Sequence, residues 1–150
     1  MKYRKLTSEE LNELEKEFID FLVVNGITAD DWVKLKEENV NKAELIIDSF
    51  SDVVFESAMR KIKYLKFVTP KSIKCFQCLD QEIVLVAVDA DKGTDVDFTM
   101  DNWKNDLLNS SVYTTTKKYN KVREIELFDM VQLGAEVSKG EMFKQLCMII

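Results

Sequence analysis

The sequence contains no histidine, one proline, four glycines and three cysteines, and each scarcity removes a class of function. Without histidine there is no Ser-His-Asp or Cys-His nucleophile system, no HExxH metalloenzyme, and little scope for zinc. Gly26, Gly93, Gly134 and Gly140 are too scattered to form a GxGxxG, Walker A or GxSxG turn. So few glycines and prolines leave no flexible linker or low-complexity tract, and no internal repeat is visible. The odd cysteine count does not suggest a disulfide framework, and reduced thiols in a soluble, cytoplasmic protein are expected. The longest apolar run, Ile83 to Val88, suits a buried strand and falls far short of the roughly 20 residues that span a bilayer. The opening MKYRKLTSEEL carries positive charge with no apolar stretch behind it, so neither a secretory signal nor membrane attachment is expected.

What is present fits one globular domain over residues 1–150. That length supports one core without covalent staples, and 46% apolar with 32% charged residues leaves a well-solvated surface. Helix start signals dominate the first third. Thr7 with Glu10 forms a capping box flanked by Leu6 and Leu11 as a hydrophobic staple. The helix it opens carries Leu11, Leu14, Phe18, Phe21 and Leu22 on one face and stops at Asn25-Gly26. Thr28 with Asp31, stapled by Ile27 and Trp32, starts a helix over about 29–38. Asn41 with Glu44 opens a third, carrying Leu45, Ile46 and Phe50. Over 60–68 the helical and strand periods both fit, and Tyr64, Phe67 and Val68 before Thr69-Pro70 favour a strand; further strands are expected over 72–79 and 82–89, joined at Asp80-Gln81. An acidic loop over 90–97 leads to helices over 99–109 and 118–133, the second ended by Gly134. Ser138 with Glu141, stapled by Val137 and Met142, is expected to cap a terminal helix. The expected class is α+β: N-terminal helices, a central antiparallel meander of about three strands, and C-terminal helices.

The segments MKYRKLT, FIDFLVVNGITADDW and SDVVFE give the chain a resemblance to an uncharacterised bacterial protein family of unknown function. Those segments are caps and core faces, so the resemblance implies no activity, cofactor or site residue.

Four constellations could carry chemistry. Cys75-Phe76-Gln77-Cys78 is a CxxC, but it falls within an expected strand, where positions i and i+3 point to opposite faces. Two core cysteines are the expectation. Asp89, Asp91, Asp95 and Asp97 surround Gly93 in a loop, yet the EF-hand spacing fails and Met100 stands where a bidentate glutamate is needed. No metal site is expected there; a carboxylate-only, metal-dependent hydrolase is the least favoured reading. The final Cys147-Met148-Ile149-Ile150 matches a loose prenylation box but shares the apolar face of the terminal helix, with no polybasic stretch before it.

Charge segregation is the most informative of the four. Residues 1–56 hold 14 acids against 7 bases, and residues 80–110 hold 8 acids against 2 bases. Two segments are free of acids. One holds Arg60, Lys61, Lys63, Lys66, Lys71 and Lys74 beside Tyr64; the other holds Lys117, Lys118, Lys121 and Arg123 beside Tyr113 and Tyr119. Arg60, Lys61, Lys63, Lys66, Lys71, Lys117, Lys118, Lys121 and Arg123 are therefore candidate anion-binding residues, for nucleic acid or another anionic ligand. The competing reading pairs these cations within the protein or uses them to protect a strand edge. With no catalytic residues and no cofactor expected, the favoured function is a non-enzymatic domain that binds another protein or a second copy of itself.

Overall fold

Thr7 opens the first helix through the reciprocal bonds its spacing foretells. Its Oγ1 accepts the Glu10 amide at 3.2 Å, and Glu10 Oε1 accepts the Thr7 amide at 2.9 Å. In the computed structural model, which describes residues 1–150, the chain forms two units, Met1–Ala58 and Met59–Ile150.

The first unit is helical. Helix α1 (Ser8–Glu13) is separated by Leu14 from α2 (Glu15–Val24); α3 (Ala29–Glu38) and α4 (Val40–Lys61) follow. Thr28 and Asp31 cap α3 as expected. Helix α4 starts earlier than Asn41: Asn39 Oδ1 accepts the Lys42 amide at 3.2 Å. Leu6, Phe18, Leu22 and Phe50 form the buried centre. The Phe50 ring lies 5.0 Å from Phe18 and 5.3 Å from Phe21. Buried Ser51 is satisfied, donating to the Ile47 carbonyl at 2.7 Å and accepting the Leu6 amide at 3.0 Å.

The second unit begins with the last turn of α4 and contains an antiparallel sheet: β1 (Tyr64–Thr69), β2 (Ser72–Cys78), β3 (Glu82–Ala90), β4 (Ser110–Lys118) and β5 (Glu136–Ser138). Their order is β4-β3-β2-β1-β5. Helix α5 (Arg123–Gln132) precedes β5, and α6 (Glu141–Cys147) follows it. Residues opposite each other across an antiparallel pair share a face. Ile73, Cys75, Val86 and Val88 therefore lie on one side, where Val96, Phe98, Phe143 and Leu146 complete their core cluster. Leu65, Cys78, Ile83 and Ala87, all buried, lie on the other. Glycine is required where β5 turns into α6. Gly140 has φ +90°, and a Cβ there would lie 2.8 Å from the Tyr64 ring.

The α+β class holds, with five strands in place of about three. The expected strand over 60–68 is shortened because α4 runs on to Lys61, which leaves Arg60 and Lys61 helical. The expected helix over 118–133 begins only at Arg123, and that over 99–109 is a 3₁₀ helix, Trp103–Asn109. The segment between them is strand β4. Ser138 does not cap α6: it ends β5 opposite Tyr64, and its Oγ accepts the Gly140 amide at 2.9 Å.

The box at Thr7 predicts an acid response. Arg4 donates to the Glu10 carboxylate at 2.7 and 3.0 Å, and with the Thr7 amide it holds that carboxyl down at about 2, against 4.5 ordinarily. A depressed carboxyl contributes stability above its unfolded pKa and loses it as pH falls toward the folded one. Thermal unfolding of Glu10→Gln should therefore show a lower melting temperature than the parent at pH 7, the gap closing between about pH 4.5 and 2. Equal curves across that range would contradict this role.

Candidate functional site

The second basic segment is organised by one side chain. Arg123, the first residue of α5, aims its guanidinium at four backbone carbonyls. Nε donates to Leu79 at 3.1 Å and Nη1 to Met59 at 3.2 Å, while Nη2 donates to Ile62 at 2.5 Å and Cys78 at 3.0 Å. Met59 lies in the last turn of α4, where its carbonyl also accepts a 3₁₀-type bond from the Ile62 amide at 3.3 Å, and Ile62 lies just beyond; both carbonyls stand at the negative end of the helix dipole. Cys78 and Leu79 mark the end of β2. One cation thus satisfies the end of a helix and the end of a strand at once. Tyr119 adds to the junction by donating its hydroxyl to the Leu79 carbonyl at 2.8 Å, and burial is the main cause that pushes its pKa up to about 12.

The antiparallel registers place the start of β1, the end of β2, the start of β3 and the end of β4 at one end of the sheet. Arg60, Lys61, Lys63, Lys117, Lys118, Lys121 and Arg123 gather at that end, so the two basic segments do meet. They do not form a uniformly positive surface. Lys117 pairs with Glu126 at 2.8 Å, Lys121 with Asp129 at 2.6 Å, and Lys118 stands opposite Glu82 in the β3–β4 ladder. Burial opposes ionisation of Glu126, yet Lys117 and the Lys121 and Asn120 amides hold its carboxyl below the ordinary range. Lys66 and Lys71 lie elsewhere. Lys66 is opposite Glu136 across β1 and β5 and lines a cleft of about 430 Å³ with Asp101, Trp103 and Met142. Lys71, in the turn between β1 and β2, donates to the Thr94 and Val96 carbonyls at 3.1 and 2.7 Å.

That lysine also explains the acidic loop. An ammonium group, not a cluster of carboxylates, gathers the backbone between Gly93 and Asp97. Asp97 turns back to accept the Thr99 amide at 2.9 Å and its hydroxyl at 2.5 Å. No three acidic or thiol side chains converge in a way that could hold a metal ion. The CxxC residues are both buried in β2, on opposite faces, and burial pushes each thiol up to about 11. Such thiols are protonated at neutral pH and poor nucleophiles. No helix is long and apolar enough to cross a membrane.

The first unit carries a different kind of surface. A groove of about 420 Å³ lies along α2 and α3. Phe18 and Leu22, both buried, form its floor, with Trp32 packed edge-on against Phe18 at 5.1 Å. Its rim carries Ile19, Val23 and Val33, which are 50%, 66% and 49% exposed, along with Asn12, Glu15 and Lys36, whose ammonium lies 5.9 Å from the Trp32 ring centre. This surface lies outside the core-facing stripe of α2, which is why it does not stand out in the sequence. The available signal was Ile19 and Val23, four residues apart and outside that stripe.

The architecture is that of an α+β protein with helices at both ends and an antiparallel sheet between them. The chain belongs to the Family of unknown function (DUF6495), which it matches over residues 1–150. No curated protein and no solved structure matches it.

The Arg123 junction predicts a stability effect that charge alone cannot rescue. Arg123→Ala should cost about 2–3 kcal/mol in denaturant unfolding, because the part-buried Ile62 and Cys78 carbonyls lose a charged donor. Arg123→Lys should recover only a minor part, since one ammonium cannot span the same set of acceptors. Full rescue by lysine would show that position, not donor geometry, is what matters.

Proposed function

We propose that this chain is a non-enzymatic interaction protein that binds a basic, amphipathic helix of another protein in the groove between α2 and α3. The observation that carries the reading is the apolar rim of Ile19, Val23 and Val33 above a floor of Phe18, Leu22 and Trp32. An apolar groove between helices suits a helix that inserts side chains spaced at i, i+3, i+4 and i+7. The charge of the occupant follows from the surroundings. Residues 1–56 hold 14 acids against 7 bases, so lysines and arginines flanking the inserted face are attracted and acidic flanks repelled.

The non-enzymatic part of the proposal draws on the absence of histidine and on the two high-pKa thiols. Binding of nucleic acid or another anion draws on the convergence of Lys61, Lys63 and Lys118 at one sheet end. It is the weaker reading, because Arg123, Lys71, Lys117 and Lys121 are already held by carbonyls or carboxylates. A metal-dependent hydrolase has least support, since the loop aspartates do not gather.

The groove contains its own reporter in Trp32. In a Trp103→Phe background, an 18-residue amphipathic peptide with leucines on one face and lysine flanks should shift Trp32 fluorescence with a Kd on the order of micromolar. Ile19→Asp and Val23→Asp, at exposed positions, should weaken binding at least tenfold while leaving the melting temperature within about 2 °C. Replacing the flanking lysines by glutamates should weaken it similarly. Binding indifferent to both changes, or no binding near millimolar peptide, would refute the proposal.

A further inference from the structure

The two edges of the sheet are built differently. At one edge, β5 is three residues long, and shortness is a common protection against pairing with another chain. At the other, β4 runs for nine residues and pairs with β3 without a break, from Glu82 opposite Lys118 to Ala90 opposite Ser110. That side of β3 is filled, while the outer side of β4 faces no strand. The usual protections are missing from most of it. The continuous register leaves no bulge, the chain's one proline is Pro70, and Ser110 to Thr116 carry no charge. Val112, Tyr113 and the three threonines that follow are strong β-formers. Tyr113 to Lys118 are all exposed.

We infer that β4 is a self-association edge, pairing antiparallel with β4 of a second copy to make one continuous sheet with five strands from each copy. The inference is independent of the groove in the first unit and uses a different surface. Full overlap of the strand with itself centres the two-fold axis on Thr114. Tyr113 then faces Thr115, Val112 faces Thr116, and Lys117 and Lys118 face Ser111 and Ser110. This register is the one that charge favours. Asp89 stands beside Ser111 on the same sheet face, and the Ser111 hydroxyl donates to Asp91 Oδ1 at 3.4 Å. The end of β4 that lies beside Asp89 and Asp91 therefore meets the basic end of the other copy's β4. Within each copy Lys117 already holds Glu126 and Lys118 faces Glu82, so neither lysine is a bare charge at the seam. A parallel pairing would instead set lysine against lysine. A closed two-fold pairing also uses up both exposed edges and so stops at two copies.

Sedimentation equilibrium of the full chain from about 5 to 500 µM tests this, because a seam of one strand pair is small and predicts a dimer Kd on the order of tens of micromolar. Thr114→Lys places two ammonium groups directly opposite each other at the axis and should weaken dimerisation about fivefold or more. Cross-linking fixes the register even if that variant folds poorly. In a Cys147→Ser background, Thr114→Cys should give a covalent dimer with oxidised glutathione, whereas Ser110→Cys should not, its own copy lying some eight residue steps away. A chain that stays monomeric to 500 µM, or a dimer unaffected by Thr114→Lys with no Thr114→Cys cross-link, would overturn the inference. Ile19→Asp should leave dimerisation unchanged and Thr114→Lys should leave peptide binding unchanged, so failure of one proposal is separable from failure of the other.

Discussion

The Arg123 guanidinium is the constraint on which the second unit depends. It joins the end of α4, the end of β2 and the start of α5 through four carbonyls that lie 44 to 64 residues away in sequence. A cation at a helix N-terminus is disfavoured by that helix's own dipole. The Met59 and Ile62 carbonyls at the C-terminal end of α4 supply the opposite field and offset the cost. The same logic recurs at Lys71, whose ammonium closes the acidic loop on its own backbone. Part of the positive charge that stands apart in the sequence is thus organised around helix and strand ends and turns within the fold.

This use of charge changes which surface is most informative about function. An acid-free run reads as a basic patch when only sequence neighbours are counted. In space, Glu126, Asp129 and Glu82 come from other segments to meet those lysines. The groove in the first unit shows the converse. Ile19, Val23 and Val33 look unremarkable one at a time, because single exposed apolar residues are common on protein surfaces. Gathered around Phe18 and Trp32 they become one apolar stretch along a groove that Glu15 and Lys36 also line.

The legible parts of the fold were those set by local chemistry. The boxes at Thr7 and Thr28 act over three residues, and the β2–β3 hairpin follows from two runs of β-formers around Asp80-Gln81. Strand β4 was missed because both its faces are exposed from Tyr113 to Lys118, which removes over most of its length the alternation of apolar and polar residues that marks a half-buried strand. Its three consecutive threonines were the remaining signal. Ser138 matched a capping motif, but pairing with β1 claimed it for a strand, and Gly140 took the helix start. At the candidate site, the cations themselves were legible and their partners were not. Backbone carbonyls carry no sequence signature, so nothing in the residues around Arg123 announces that Met59 and Ile62 will be its acceptors.

The claim that Arg123 is an architectural cation is tested most directly by amide hydrogen exchange resolved by residue. The Ile62 and Cys78 amides, which donate to the Met59 and Lys63 carbonyls, sit within the junction, while Val86 and Val88 sit in the sheet centre. In the parent protein all four should exchange through the same large opening. In Arg123→Lys, Ile62 and Cys78 should exchange well ahead of Val86 and Val88 through a local opening of the sheet end. Uniform exchange at all four positions in that variant would contradict the account and return the guanidinium to the list of groups available for a ligand.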